Sequence, residues 1–133
     1  MTINQATDYA FRAILFLVQS DEKVVEARHI AQSEAIPMRF LLRIMPSLIQ
    51  AGIIKSQRGV GGGYSLAREP RQINFLDVIE AVEGPIYLNR CLKDYEYCSK
   101  HGAPSCVIHQ KLDNIQSMMV EELRRNNFGD LKE

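Results

Sequence analysis

Apolar residues recur along the first fifty positions at the spacing of buried helix faces, and after Gly52 that period changes. Ala10, Ala13, Ile14 and Leu17 fall at i, i+3, i+4 and i+7, predicting a helix from about Gln5 to Ser20 that Ser20, Asp21 and Glu22 end. A second, short helix is expected from about Glu26 to Ser33, with Ala27, Ile30 and Ala31 inward. Pro37 suits the first position of a third helix reaching Ala51, which buries Leu41, Ile44, Met45 and Leu48 and is closed by Gly52 at C′. Pro46 removes one hydrogen bond inside that helix and should kink it.

Two short strands follow, Ile53 to Ser56 and Tyr64 to Leu66, joined by the glycine-rich run from Arg58 to Gly63. Asn74, with Asp77 three residues on, caps a fourth helix whose apolar face is Phe75, Val78, Ile79 and Val82, and Gly84-Pro85 stops it. Ile86 to Ser105 has no clean period. From about Ser105 to Asn126 a long amphipathic helix carries Ile108, Leu112, Ile115 and Met119 as one stripe. The expected fold is mainly α with a small β-hairpin: a winged helix-turn-helix plus a long C-terminal dimerisation helix. It divides into a DNA-binding domain over 1–84, a cysteine-bearing loop over 85–106, and the dimerisation helix and tail over 107–133.

Composition limits the classes this pattern can belong to. Of the 133 residues 46% are hydrophobic and 24% charged, an ordinary soluble balance that excludes disorder. Area scaling puts about two-thirds of the unfolded surface inside a core of this size, enough to fold without disulfides or metal. The uncharged apolar stretch Ala13 to Val18 is far too short to span a bilayer. No basic segment and cleavage site precede it, so a cytoplasmic protein without a membrane partner is expected. No set of nucleophile, base and orienting residue stands out, so the chain is not read as an enzyme.

Charge changes the picture more, because the net charge of zero hides an asymmetry. From Arg28 to Arg71 seven basic residues face two acids, whereas from Ile73 onward seven face ten. A basic segment in a neutral chain points to a polyanion touching one region only. Two short helices and a hairpin give that polyanion a shape: the third helix enters a major groove of double-stranded DNA and the wing lies against phosphates or a minor groove. The residues expected to face DNA are Arg28, Pro37, Met38, Arg39, Phe40 and Arg43 from the helices. The wing adds Arg58, Gly59, Gly61 and Tyr64. Four glycines beside Arg58 let the wing backbone approach closely. A nucleotide-binding phosphate loop is the competing reading, and it lacks both the Gly-Lys-Ser/Thr ending and a G-x-G-x-x-G that opens a helix.

The aperiodic segment carries all three cysteines, Cys91, Cys98 and Cys106, in polar surroundings that do not suit core thiols. An odd count fits a reducing compartment and a metal or redox site better than a disulfide framework. Thiolates in such a loop suit iron or zinc. A fourth ligand has three candidates: His109, three residues after Cys106; His101 within the loop; and Asp8, if the site forms between subunits. Each also has an ordinary explanation, since Asp8 can pair with Arg12 at i+4 and either histidine can sit solvated on the surface.

Arg58-Gly-Val-Gly-Gly-Gly-Tyr64, Asp77-Val-Ile-Glu-Ala-Val82 with Glu83-Gly84, Thr7-Asp8-Tyr9-Ala10-Phe11-Arg12 and the spaced cysteines together resemble the Rrf-two type of bacterial transcription regulators. Iron–sulfur sensors of the IscR and NsrR kind belong to that family. The resemblance spans essentially the whole chain. It implies a homodimer with crossed long helices, operator binding through the third helix and wing, and a cluster that controls that binding. Cys106-Val-Ile-His109 is similar to the cysteine–histidine pair of [2Fe-2S] members. Asp8 matches the position from which [4Fe-4S] nitric-oxide sensors supply a carboxylate to the partner subunit. This loop spaces its cysteines more widely than most members do, so both cluster types stay open. The function expected is a DNA-binding regulator, a repressor, controlled by an iron–sulfur cluster. The alternatives are a cluster-free thiol or zinc switch and a winged-helix protein-interaction module.

Overall fold

A computed structural model of the chain describes residues 2–102 and 105–131; Ala103 and Pro104 of the cysteine loop and the last two residues of the tail lie outside them. Helix α1 (Gln5–Gln19) is capped by Asn4, whose side chain accepts from the Thr7 backbone N–H at 2.8 Å. Its predicted apolar face, Ala10, Ala13, Ile14 and Leu17, is buried, and Val18 joins it. Helix α2 (Ala27–Glu34) follows and buries Ile30 and Ala31. It ends at Ala35 in the left-handed region (φ 53°), with the N–H of Ile36 bonded back to Ala31.

Helix α3 (Met38–Gln50) starts one residue later than expected, because Pro37 is its N-cap and not its first residue. The extended ψ of Pro37 (131°) keeps it outside the helix, while its carbonyl accepts from Phe40 and Leu41. The helix is continuous through Pro46, held on both sides by the burial of Leu41, Ile44, Met45 and Leu48. Gly52 (φ 75°) closes it in a Schellman arrangement: its N–H bonds the Ile49 carbonyl and that of Ile53 bonds Leu48.

Strands β1 (Ile54–Gln57) and β2 (Gly63–Leu66) form the wing, antiparallel, with Ile54 opposite Leu66 and Gln57 opposite Gly63. Val25 adds a short bridge to Tyr64, exchanging two backbone bonds of 2.8 and 2.9 Å. Helix α4 (Phe75–Glu83) has a full capping box, Asn74 accepting from the Asp77 N–H while the Asp77 carboxylate accepts from that of Asn74. Leu76, absent from the predicted face, is buried alongside Val78 and Ile79.

The aperiodic stretch contains structure that its pattern did not announce. Asn89 caps a single turn, α5 (Arg90–Lys93), and Asp94 caps a 3₁₀ turn over Tyr95–Tyr97. Helix α6 (Val107–Arg125) begins at Cys106, its N-cap. Its predicted stripe is covered along one side only. Leu112 and Met119 are half-buried, whereas Ile108 and Ile115 keep 68% and 53% of their surface, and Met118 beside them keeps 73%. After α6 the chain turns back: the Phe75 N–H bonds Asn126, the Phe128 N–H bonds Ile73, and Phe128 is 1% exposed in the core. The rings of Phe11, Phe75 and Phe128 meet there with centroids 5.0–6.2 Å apart.

Candidate nucleic-acid interface and cysteine loop

The turn between α2 and α3, with its left-handed Ala35 and buried Ile36, sets two helices in the helix-turn-helix relation. Because one face of α3 is committed to the core, Met38, Arg39, Leu42 and Arg43 are left in solvent. Phe40 is half-buried between these two environments. Its ring lies 6.2 Å from that of Tyr9, and the guanidinium carbons of Arg39 and Arg43 stand 4.9 and 5.9 Å from its centroid. Phe40 therefore acts as a platform that steadies two arginines.

The wing completes the surface. Arg58 is exposed, and with Arg28, Met38, Gln57, Gly63 and Tyr64 it lines a groove between the start of α2, the start of α3 and the hairpin. The glycines do not all serve close approach to DNA. A Cβ at Gly63 would drive into the carbonyl of Val25, and one at Gly62 into that of Gln57, so these two are required by the chain's own packing. Gly59 and Gly61 have positive φ (91° and 76°) and open space around them. Tyr64 spends its backbone on Val25 and packs its ring against the core.

The basic segment is smaller at the surface than on paper. Arg68 pairs with Asp77 at 3.1 Å and Arg71 with Asp130 at 3.0 Å. Arg28 lies 3.6 Å from Glu26 in solvent, which holds it weakly. Among the described residues Arg39, Arg43, Lys55 and Arg58 have no carboxylate partner. Three of these are among the four arginines that sequence set toward DNA, the fourth being Arg28.

In the cysteine loop the caps on α5 and on the 3₁₀ turn place Cys91 against α6. The Nδ1 of His109 lies 3.2 Å from the Sγ of Cys91, and the edge of Tyr95 packs on the imidazole at 5.4 Å. His109 is 8% exposed and Cys91 half-buried. The Leu88 N–H donates to the Gln116 side chain at 2.8 Å, fixing the loop's entry on α6. Cys106 sits one turn before His109, and Cys98 is half-buried at the end of the 3₁₀ turn. His101 is exposed in the left-handed region (φ 50°). Asp8 accepts from Nε of Arg12 at 3.1 Å, the i+4 pairing that its spacing suggested. Thiolate and imidazole are the donor types an iron centre takes. Among the described residues, however, no three histidine, cysteine or acidic side chains stand close enough together to hold a metal ion.

Comparison with known proteins gives this surface its context. The family Rrf2, described as an iron-dependent transcriptional regulator, matches residues 3–133. An HTH-type transcriptional regulator of Aquifex aeolicus (strain VF5) is 29% identical over 131 residues, covering 98% of this chain and 91% of that protein. A Rhodobacter capsulatus regulator named as rrf2-like is 32% identical over 115 residues, covering 81% and 77%. Among solved structures, CymR, the global cysteine regulator of B. subtilis, superposes with a TM-score of 0.77 at 28% identity, covering 98% of this chain and 95% of CymR. IscR of T. potens does so with a TM-score of 0.76 at 26% identity, covering 98% and 85%. These relatives are transcriptional regulators, not enzymes, and no helix among the described residues is long and apolar enough to cross a membrane. The chain belongs to the Rrf2 family of winged-helix, DNA-binding transcriptional regulators.

Proposed function

We propose that this chain is a homodimeric repressor of the cytoplasm whose hold on a palindromic operator is set by an iron–sulfur cluster in the cysteine loop. The observation that carries the sensor half is the approach of His109 Nδ1 to Cys91 Sγ, two soft donors 18 residues apart. Cys91, Cys98, Cys106 and His109 would hold the cluster, with Asp8 of a partner subunit as the rival fourth ligand. A bound cluster would supply a centre sensitive to redox state, iron supply or nitric oxide. Arg39 and Arg43 meet the major groove from their Phe40 platform, and Arg58 meets phosphate or a minor groove from the wing.

A dimer accounts for the exposed face of α6. The chain exposes 8821 Å² of surface, against roughly 7,100 Å² for a compact monomer of its mass. Seating Ile108, Ile115 and Met118 on a second copy would take an apolar stripe of α6 out of water. Sedimentation at micromolar concentration should give a dimer; a monomer that binds operator undiminished would remove this element.

A cluster-free thiol or zinc switch is the second reading, favoured by the likeness to CymR, a cysteine regulator. Anaerobic purification separates the two. A brown protein with about one cluster per chain supports the first, and a colourless one with stoichiometric zinc or no metal supports the second. Titrating operator and random duplexes with holo and apo protein at several salt concentrations then tests control. Operator affinity should change on cluster loss while weak random binding persists. Arg58→Ala should cost about 1–3 kcal/mol on the operator if the arginine reads a groove. If it meets only phosphate, the loss should be equal on both duplexes and the salt slope should fall by about one.

A further inference from the structure

We propose that Arg68 is a positioning residue for operator recognition: it fixes the angle of α3 without touching DNA. This rests on the reading of α3 as the operator-contacting helix. Arg68 follows the wing, and its side chain is 31% exposed. Its Nη2 donates to the Ala51 carbonyl at 2.8 Å and its Nε to the Gly52 carbonyl at 3.2 Å, at the C-terminal end of α3. Its Nη1 reaches the Asp77 carboxylate at 3.1 Å and the Gln72 carbonyl at 3.4 Å. Asp77 is itself the acidic member of the capping box that starts α4.

One guanidinium thus joins the end of the reading helix, the return from the wing and the start of α4. The arrangement suits its charge twice over. The last carbonyls of α3 form the negative end of a helix dipole, and Asp77 supplies a full negative charge. A planar fork can satisfy these acceptors at once, whereas an ammonium of similar length reaches only some of them. The positive charge that sequence assigned to the DNA-facing segment is therefore consumed inside the protein. Its effect on DNA is geometric, since a small rotation of α3 misplaces both Arg39 and Arg43.

The test uses a duplex enriched from a random pool by the wild-type protein, compared with an unrelated duplex, across several salt concentrations. Arg68→Lys should weaken binding to the enriched duplex by about tenfold, equivalent to about 1.4 kcal/mol. Affinity for the unrelated duplex and the salt slope should stay unchanged at temperatures well below unfolding. Asp77→Asn, which keeps shape and removes the charge, should give the same signature in weaker form, and it decides the question should Arg68→Lys not fold. Equal loss on both duplexes with a slope smaller by about one makes Arg68 a phosphate contact and overturns the proposal. So does full retention of enriched-duplex affinity while Arg39→Ala and Arg43→Ala weaken it. Should those two variants also bind normally, it is the assignment of α3 that fails.

Discussion

Replacing Phe128 with Ala is expected to cost about 3–5 kcal/mol, the usual range for emptying a buried aromatic site. The ring is 1% exposed and packs at a tilt, with centroids 5.1 and 6.2 Å from Phe75 and Phe11, so the cavity would open between α1, α4 and the tail at once. The total stability of a domain this size is about 5–15 kcal/mol, so the loss is a large share of it. The unfolding midpoint should fall by on the order of 10–20 °C. Urea unfolding would read the change directly, with the midpoint moving and the slope held constant. Phe128→Leu, which keeps most of the apolar volume, should recover a large part of the stability. A change below about 1 kcal/mol for the alanine variant would mean that the tail does not close the core in solution. Truncation before Val107 removes the same ring together with α6, and an insoluble or monomeric product is expected.

The second large effect concerns the loop. Cys91→Ala, Cys98→Ala and Cys106→Ala should each reduce iron and sulfide in anaerobically prepared protein to background. None of the three thiols belongs to the core, so metal-free unfolding should move by less than about 1 kcal/mol. Any one variant that retains full iron and sulfide leaves the ligand set. His109→Ala and Asp8→Ala divide the remaining possibilities. Loss with the histidine alone assigns the fourth position to the imidazole beside Cys91. Loss with the aspartate alone assigns it to a carboxylate now paired with Arg12, which must exchange that partner for the cluster.

Helices α1 to α4 could be read from periodicity because each has a single buried face, and α1 and α4 have a local side-chain cap as well. Asn74 with Asp77 announced α4, and Gly52 announced the end of α3, since both signals lie within a few residues of what they determine. Signals that depend on distant partners were not legible. Leu76 looked peripheral to its helix and is buried by the packing around α4. Phe128 follows a helix end with no period of its own, and its place is set by one backbone bond to Ile73 and a tilted ring contact with Phe11. The stripe on α6 read as one face because a sequence cannot say which half of it meets its own chain. In the interface, Arg39, Arg43 and Arg58 were legible as exposed basic residues. That Arg68 turns inward was not, nor that Arg71 meets a carboxylate at the surface, because their acceptors Asp77 and Asp130 come from later segments.

Phe128 has a consequence for how the protein is made. The Phe11 side of helix α1 is covered by Phe75 and is closed only when a ring more than a hundred positions away joins them. A ribosome could release the wing and all of α3 into solution while that side still lies open. Non-local closure of this kind slows folding, and it leaves an apolar surface for chaperones to cover during synthesis. A nascent chain halted before residue 128 would therefore carry a formed α3 beside a core that still lacks one ring between α1 and α4.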